Sequence, residues 1–237
     1  LPAFSSNNPS DGIIPDQYST LADRYRLLSS FFEDAYSASP TVPRGILEAI
    51  SWSKTRMRQI VPGNENPSCA GLPSNYGVMG LVKDGKSYFK NTLYFVSNRS
   101  GISTDELEQS AELSIIAFAR TFADVQQELG ISSTAIEDNI SVLELLTELP
   151  SHDDGQKFAV DCEVYEILIL LSDINFCSLI GIAQYPVNFI SVFGKDNLNV
   201  LSSSKIIVTK TKIFSKKGVY SPKKKSQGTV NSKIFYF

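Results

Sequence analysis

The chemistry this sequence offers is concentrated in two short segments. Ser51-Trp52-Ser53-Lys54-Thr55-Arg56 closes an apolar run that begins after Pro43, and Asn75-Tyr76-Gly77-Val78-Met79-Gly80-Leu81 follows across a loop. A helix end holds a side chain rigidly, and a glycine turn lets backbone amides approach a ligand closely. Elsewhere the means are few. His152 is the single histidine, in a polar turn between Ser151 and Asp153. A hydrolytic zinc site generally needs three protein ligands. Ser-His-Asp or Cys-His catalysis would have only His152 to use, and nothing around it suggests a triad. Cys69, Cys162 and Cys177 show no C-x-x-C spacing, so no metal site and no cofactor is expected in this chain. One disulfide with a spare thiol and three free cysteines both stay open.

The Pro43–Met57 segment and the Tyr76–Leu81 turn together resemble the lysozyme-like family of soluble lytic transglycosylases and goose-type lysozymes. There, a proline-led helix ends in Glu-Ser and faces a Gly-aliphatic-Met turn across a cleft. A closer likeness runs over roughly residues 30–172. Ser68-Cys69-Ala70-Gly71-Leu72-Pro73, the Tyr76–Leu81 turn, Asp84-Gly85-Lys86-Ser87-Tyr88-Phe89, Asn91, Glu148-Leu149-Pro150 and the Phe158–Tyr165 helix are similar to the N-terminal region of Bacteroidetes-type N-acetylmuramoyl-L-alanine amidases. The resemblance implies a lysozyme-like fold and a cell-wall glycan as ligand. It places Trp52, Lys54, Tyr76, Gly77, Val78, Met79 and Glu148 along the substrate groove. Trp52 or Tyr76 would offer a flat apolar face to a pyranose ring; the alternative is that Trp52, Tyr76 and Met79 are core residues.

The departure from the family pattern lies at its acid. Glycosidic cleavage needs a carboxylic acid that protonates the leaving oxygen. Where the family carries that Glu, this chain has Lys54, followed by Thr55 instead of Ser. An ammonium with a reference pKa of about 10.4 is a poor donor to an ether oxygen. Lys54 is four residues after Ile50 and seven after Leu47, so its stem shares an apolar face. It is therefore either a snorkelling surface lysine or a cleft lysine that attracts anionic wall groups. Glu48 points off that face and Glu33 belongs to the preceding helix. Glu148 falls near the place of the family's cleft-lining Tyr-Asn pair, so it is the candidate for a relocated acid, against a reading as a solvated helix-end residue.

The supporting elements follow from periodicity and caps. Leu21, Tyr25, Leu28, Phe31, Phe32 and Ala35 predict a helix over Tyr18–Tyr36. Pro43 suits a first helical turn, and that helix is expected to run to about Ile60. Ser103-x-x-Glu106 and Thr134-x-x-Glu137 read as capping boxes, the first opening a stretch to Leu129 and the second a helix ending at Pro150. A last helix is expected over Asp154–Ser172. Beyond it, 206–209, 212–214 and 233–237 read as short strands. The expected fold is thus mainly α: an extended lead-in over 1–17, a lysozyme-like helical domain over 18–175, and a lysine-rich β segment or linker over 176–237.

Charge divides the chain as well. Nine of the 22 basic residues lie beyond Asp196 and none of the 25 acidic ones does, so residues 1–196 carry −12 and the tail +9. Lysines without arginines give charge with little base-reading chemistry, so no nucleic-acid partner is expected. With 42% hydrophobic residues the chain can build a core. Its longest apolar run, Ile167–Leu171, is far below the roughly 18 to 20 residues of a bilayer span. The start at Leu1 fits either a removed leader or a piece of a longer protein.

Three functions compete. The first is a non-catalytic, peptidoglycan-directed module of an exported amidase-type hydrolase, periplasmic or on the outer surface, with any amidase centre on a further C-terminal domain. The second is an active glycan-strand-cleaving enzyme that uses Glu148. The third is an anion-binding interaction module built on the basic tail.

Overall fold

The computed structural model describes residues 15–61, 73–84 and 88–222; for 15–17 only the backbone is described. The fold is mainly helical, with a small C-terminal antiparallel sheet. Helix α1 (Pro15–Ala38) buries Leu21, Leu28, Phe32, Ala35 and Tyr36 on one stripe and packs along α5 (Ala111–Glu128), whose Phe118 and Phe122 fill the same core. The helix reaches back to Pro15, so the expected lead-in extends at most to residue 14, and 1–14 lie outside the described residues.

Helix α2 (Ile46–Thr55) starts later and stops earlier than its periodicity suggests. Gly45 is its N-cap, and the left-handed backbone there (φ 82°) breaks the helix before it can reach back to Pro43; a Cβ at this position would lie 2.3 Å from Ile182 Cδ1, so the close packing needs glycine. Its end is set by Arg56 and Met57, both left-handed (φ 55° and 56°) although neither is glycine. Their amides close the last turn onto Trp52 and Ser51 carbonyls, Arg56 Nη1 bonds Trp52 O at 2.7 Å, and Met57 turns into the core. Those contacts offset a backbone conformation that costs about 1–2 kcal/mol per residue.

A hairpin of β1 (Asn75–Tyr76) and β2 (Leu81–Val82) follows, then α3 (Thr92–Ser100) and α4 (Thr104–Gln109). The Ser103–Glu106 capping box forms, but its helix ends at Ser110, whose side chain caps α5 anew by accepting from Leu113 N–H. The second expected box does not form. The Asn139 side chain donates to the Ser133 and Ala135 carbonyls and accepts from Gln126 Nε2 at 2.8 Å. These bonds hold 133–139 as a loop and one 3-10 turn before α6 (Ile140–Leu146).

Helix α7 (Asp154–Leu171) is central, touching α2, α6, α8 (Ile174–Leu179) and α10 (Lys195–Leu201). Within 176–201, expected to be β segment or linker, the chain instead carries most of α8, α9 (Phe189–Phe193) and α10, three short helices started by Asp173, Asn188 and Gly194. Strands β3 (Ile207–Val208), β4 (Ile213–Ser215) and β5 (Gly218–Val219) then form the sheet. The third expected strand, 233–237, lies outside the described residues. Among those described, no helix is long and apolar enough to cross a membrane.

Candidate functional site

The end of α2 and the glycine turn are docked together. Val78 O accepts from Ser51 Oγ (3.1 Å) and Thr55 Oγ1 (2.7 Å), and Gly77 N–H donates to Ile60 O at 2.8 Å. Gly80, at φ 62°, lies against Lys54 so closely that a Cβ would stand 2.7 Å from the lysine Cβ. The close approach of turn to helix therefore depends on glycine at that position.

This contact directs Lys54 into a charged cluster. Its Nζ is hydrogen-bonded to Glu148, which follows the end of α6, and lies 2.8 Å from Glu163 Oε1 on α7. The three side chains are only 10%, 23% and 12% exposed, respectively, so Lys54 neither snorkels nor stands free in a cleft. Burial opposes its charge, yet Glu163 and Glu148 hold its pKa above the ordinary lysine range. Glu148 is desolvated as well, but the Lys54 ammonium prevails and keeps its carboxyl below the usual range. For Glu163, burial prevails, reinforced by the Glu148 charge, and its pKa is raised. Lys90 borders the cluster, donating to the Glu144 and Leu145 carbonyls at 3.1 and 2.9 Å; desolvation lowers its pKa to about 8. A second group adjoins through α7: Lys157 bonds Glu144 (3.2 Å) and Asp161, and Asp161 accepts from Tyr220 Oη at 2.6 Å.

The structure places the other sequence-derived site residues in different settings. Trp52 is 4% exposed, and Val78 and Met79 are fully buried; all three pack in the core. Tyr76 and Gly77 sit beside them, Tyr76 half-buried. Among the described residues, the rings that face solvent most are Tyr88 (69% exposed) and Tyr94 (43%), the latter under Lys83 Nζ at 5.7 Å. Glu48 is buried in another direction, accepting from Tyr36 Oη at 2.6 Å, and burial pushes its pKa up to about 7. Behind Tyr36 opens a cavity of about 220 Å³ lined also by Pro40, Val42, Arg44, Thr134 and Tyr185. His152 is exposed, and Cys162 and Cys177 are free thiols. Ser68–Leu72 (Cys69 included) and Gly85–Ser87 lie outside the described residues. No group of three or more His, Cys, Asp or Glu that could hold a metal occurs among those described.

Sequence reasoning missed Glu163 and Lys90. Glu163 had a readable signal, since a carboxylate between Cys162 and Val164 on a helix as apolar as α7 calls for a charged partner. Chemically, one ammonium is shared by two carboxylates: it holds Glu148 ionised, while Glu163, more desolvated, keeps its proton more readily. No protein-family model, no curated protein and no solved structure matches the chain.

Proposed function

We propose that this chain is a non-catalytic, lysozyme-like module that binds peptidoglycan glycan and serves an exported cell-wall hydrolase of the N-acetylmuramoyl-L-alanine amidase type. The supporting observation is the state of Lys54. By the resemblance it takes the place of the families' acid; it lies at the end of a helix docked on a glycine turn, between Glu148 and Glu163. A cation there cannot protonate a leaving oxygen, and it opposes the positive charge that develops in an oxocarbenium-like transition state. The relocated-acid reading is disfavoured by the same contact. Lys54 keeps Glu148 ionised, whereas a general acid must hold its proton near the working pH.

Glycan binding needs no acid. With Trp52 in the core, the exposed rings of Tyr88 and Tyr94 are the surfaces on which a sugar face can stack. The test incubates the whole chain with purified sacculi, measuring co-sedimentation and, by mass spectrometry, soluble muropeptides. Co-sedimentation that weakens in the Tyr88→Ala, Tyr94→Ala double variant, with no product released, is the expected result. Muropeptide release that disappears in Glu148→Gln would move the acid to Glu148 and make the chain an enzyme. Absence of co-sedimentation would end the glycan reading.

A further inference from the structure

The C-terminal sheet has one face fastened and, among the described residues, one face exposed. Ile213 and Tyr220 are buried at 4% and 5% exposure, and the sheet rests on α10. Tyr220 Oη reaches Asp161 on α7, while Asn197 of α10 exchanges two 2.8 Å bonds with the Ser221 backbone. Ser203 Oγ donates to Ser215 Oγ at 2.9 Å. The sheet is therefore a fixed platform.

Its other face carries a particular pattern. The register pairs Ile207 with Phe214 and Phe214 with Val219, so these three form one cross-strand row. Ile207 is 45% exposed and Val219 53%, with Phe214 half-buried between them. Val208, 65% exposed on the edge strand, pairs with Ile213 and so belongs to the fastened face, outside this row. Lysines surround this row: Lys212 is two residues before Phe214 and returns to the same face, Lys205 leads into β3, and Lys216 and Lys217 form the β4–β5 turn. All four are exposed, as is Lys210 in the β3–β4 turn, and no acidic residue follows Asp196 in the sequence to neutralise them.

The geometry points to this face as a docking platform for an anionic phospholipid bilayer surface. The lysines match the charge of the headgroups, and the Ile207–Phe214–Val219 row matches the apolar layer beneath them. A dissolved polyanion would satisfy the lysines but leave the row in water. The apolar row is thus what favours a bilayer, and this inference stands independently of the glycan reading.

The test measures binding of the whole chain to vesicles of phosphatidylcholine alone, to vesicles of phosphatidylcholine mixed with phosphatidylglycerol, and to long-chain polyphosphate. Lys212→Glu with Lys217→Glu, and separately Ile207→Ser with Val219→Ser, change exposed positions, and thermal melts verify folding. The expected result is binding to the anionic vesicles that salt weakens, with little to neutral ones. The serine pair should weaken vesicle binding about tenfold and leave polyphosphate binding unchanged, while the glutamate pair weakens both. A serine pair that binds anionic vesicles like the parent would reassign the face to soluble polyanions and overturn the proposal. Equal affinity for the two vesicle types, or binding to neither, would also overturn it.

Discussion

Lys54 Nζ and Glu163 Oε1 lie 2.8 Å apart across the contact between α2 and α7, and Glu148 completes the ion cluster from the end of α6. The end of α2 thus meets the α6–α7 region, some 94 residues further along the chain, at one nitrogen. The cluster fixes the end of α2 against α7.

Removing the ammonium leaves two carboxylates desolvated side by side. Lys54→Met should therefore destabilise the protein by about 3–5 kcal/mol at neutral pH, the usual cost of breaking a buried pair from one side. Lys54→Met combined with Glu148→Gln and Glu163→Gln should recover most of that loss. Urea denaturation of the parent and both variants measures it. Equal stability of Lys54→Met and the parent would show that the cluster is open to water in solution.

Glu48 gives a pH effect of opposite sign from an ion-paired carboxylate. Its folded pKa of about 7 is above its unfolded value, so the native state binds the extra proton between the two. Stability from this group is full below the unfolded pKa and is lost as pH rises through 7. Glu48→Gln should abolish that loss and stabilise the protein at pH 8 relative to the parent, by on the order of 2–3 kcal/mol. Denaturation midpoints of both proteins at pH 5 and pH 8 provide the check. A parent-to-variant difference that is the same at both pH values would contradict the assignment.

How much of this was legible in the sequence varies by element, for physical reasons. Helix α1 was visible because its apolar stripe persists over more than five turns, α7 because it stays apolar between a capping Asp153 and Ser172, and Ser103–Glu106 because its bonds are local. The end of α2 was not. Its apolar spacing continues toward Ile60, while the stop depends on Met57 finding a tertiary pocket. The loop at 133–139 was hidden similarly, since Gln126 reaches it from α5. The helices of 174–201 were overlooked although Asp173 and Asn188 are ordinary N-cap residues; each helix is too short to show a period. At the site, sequence identified Lys54 and Glu148 as important positions but not as partners. Pairing is a tertiary fact that no spacing encodes.

The glycine turn allows steric fit to be separated from backbone conformation. Gly80 (φ 62°) and Gly130 (φ 68°) have nearly the same left-handed backbone. A Cβ at Gly130 meets nothing within 4 Å, whereas at Gly80 it would lie 2.7 Å from Lys54 Cβ and 3.2 Å from Thr55 Cγ2. Alanine at either position takes on the left-handed strain of about 1–2 kcal/mol. At Gly80 it must also push the turn away from α2, which adds about 1–3 kcal/mol of overpacking. That displacement should lengthen the bonds from Ser51 and Thr55 to Val78 O and loosen the Lys54 cluster. Gly80→Ala is therefore expected to be less stable than Gly130→Ala in denaturant. Amide hydrogen exchange should rise at the end of α2 in the first variant only. Equal losses in the two variants, with exchange at α2 unchanged, would mean that the turn does not press on Lys54, and the rigid placement of that side chain would need another cause.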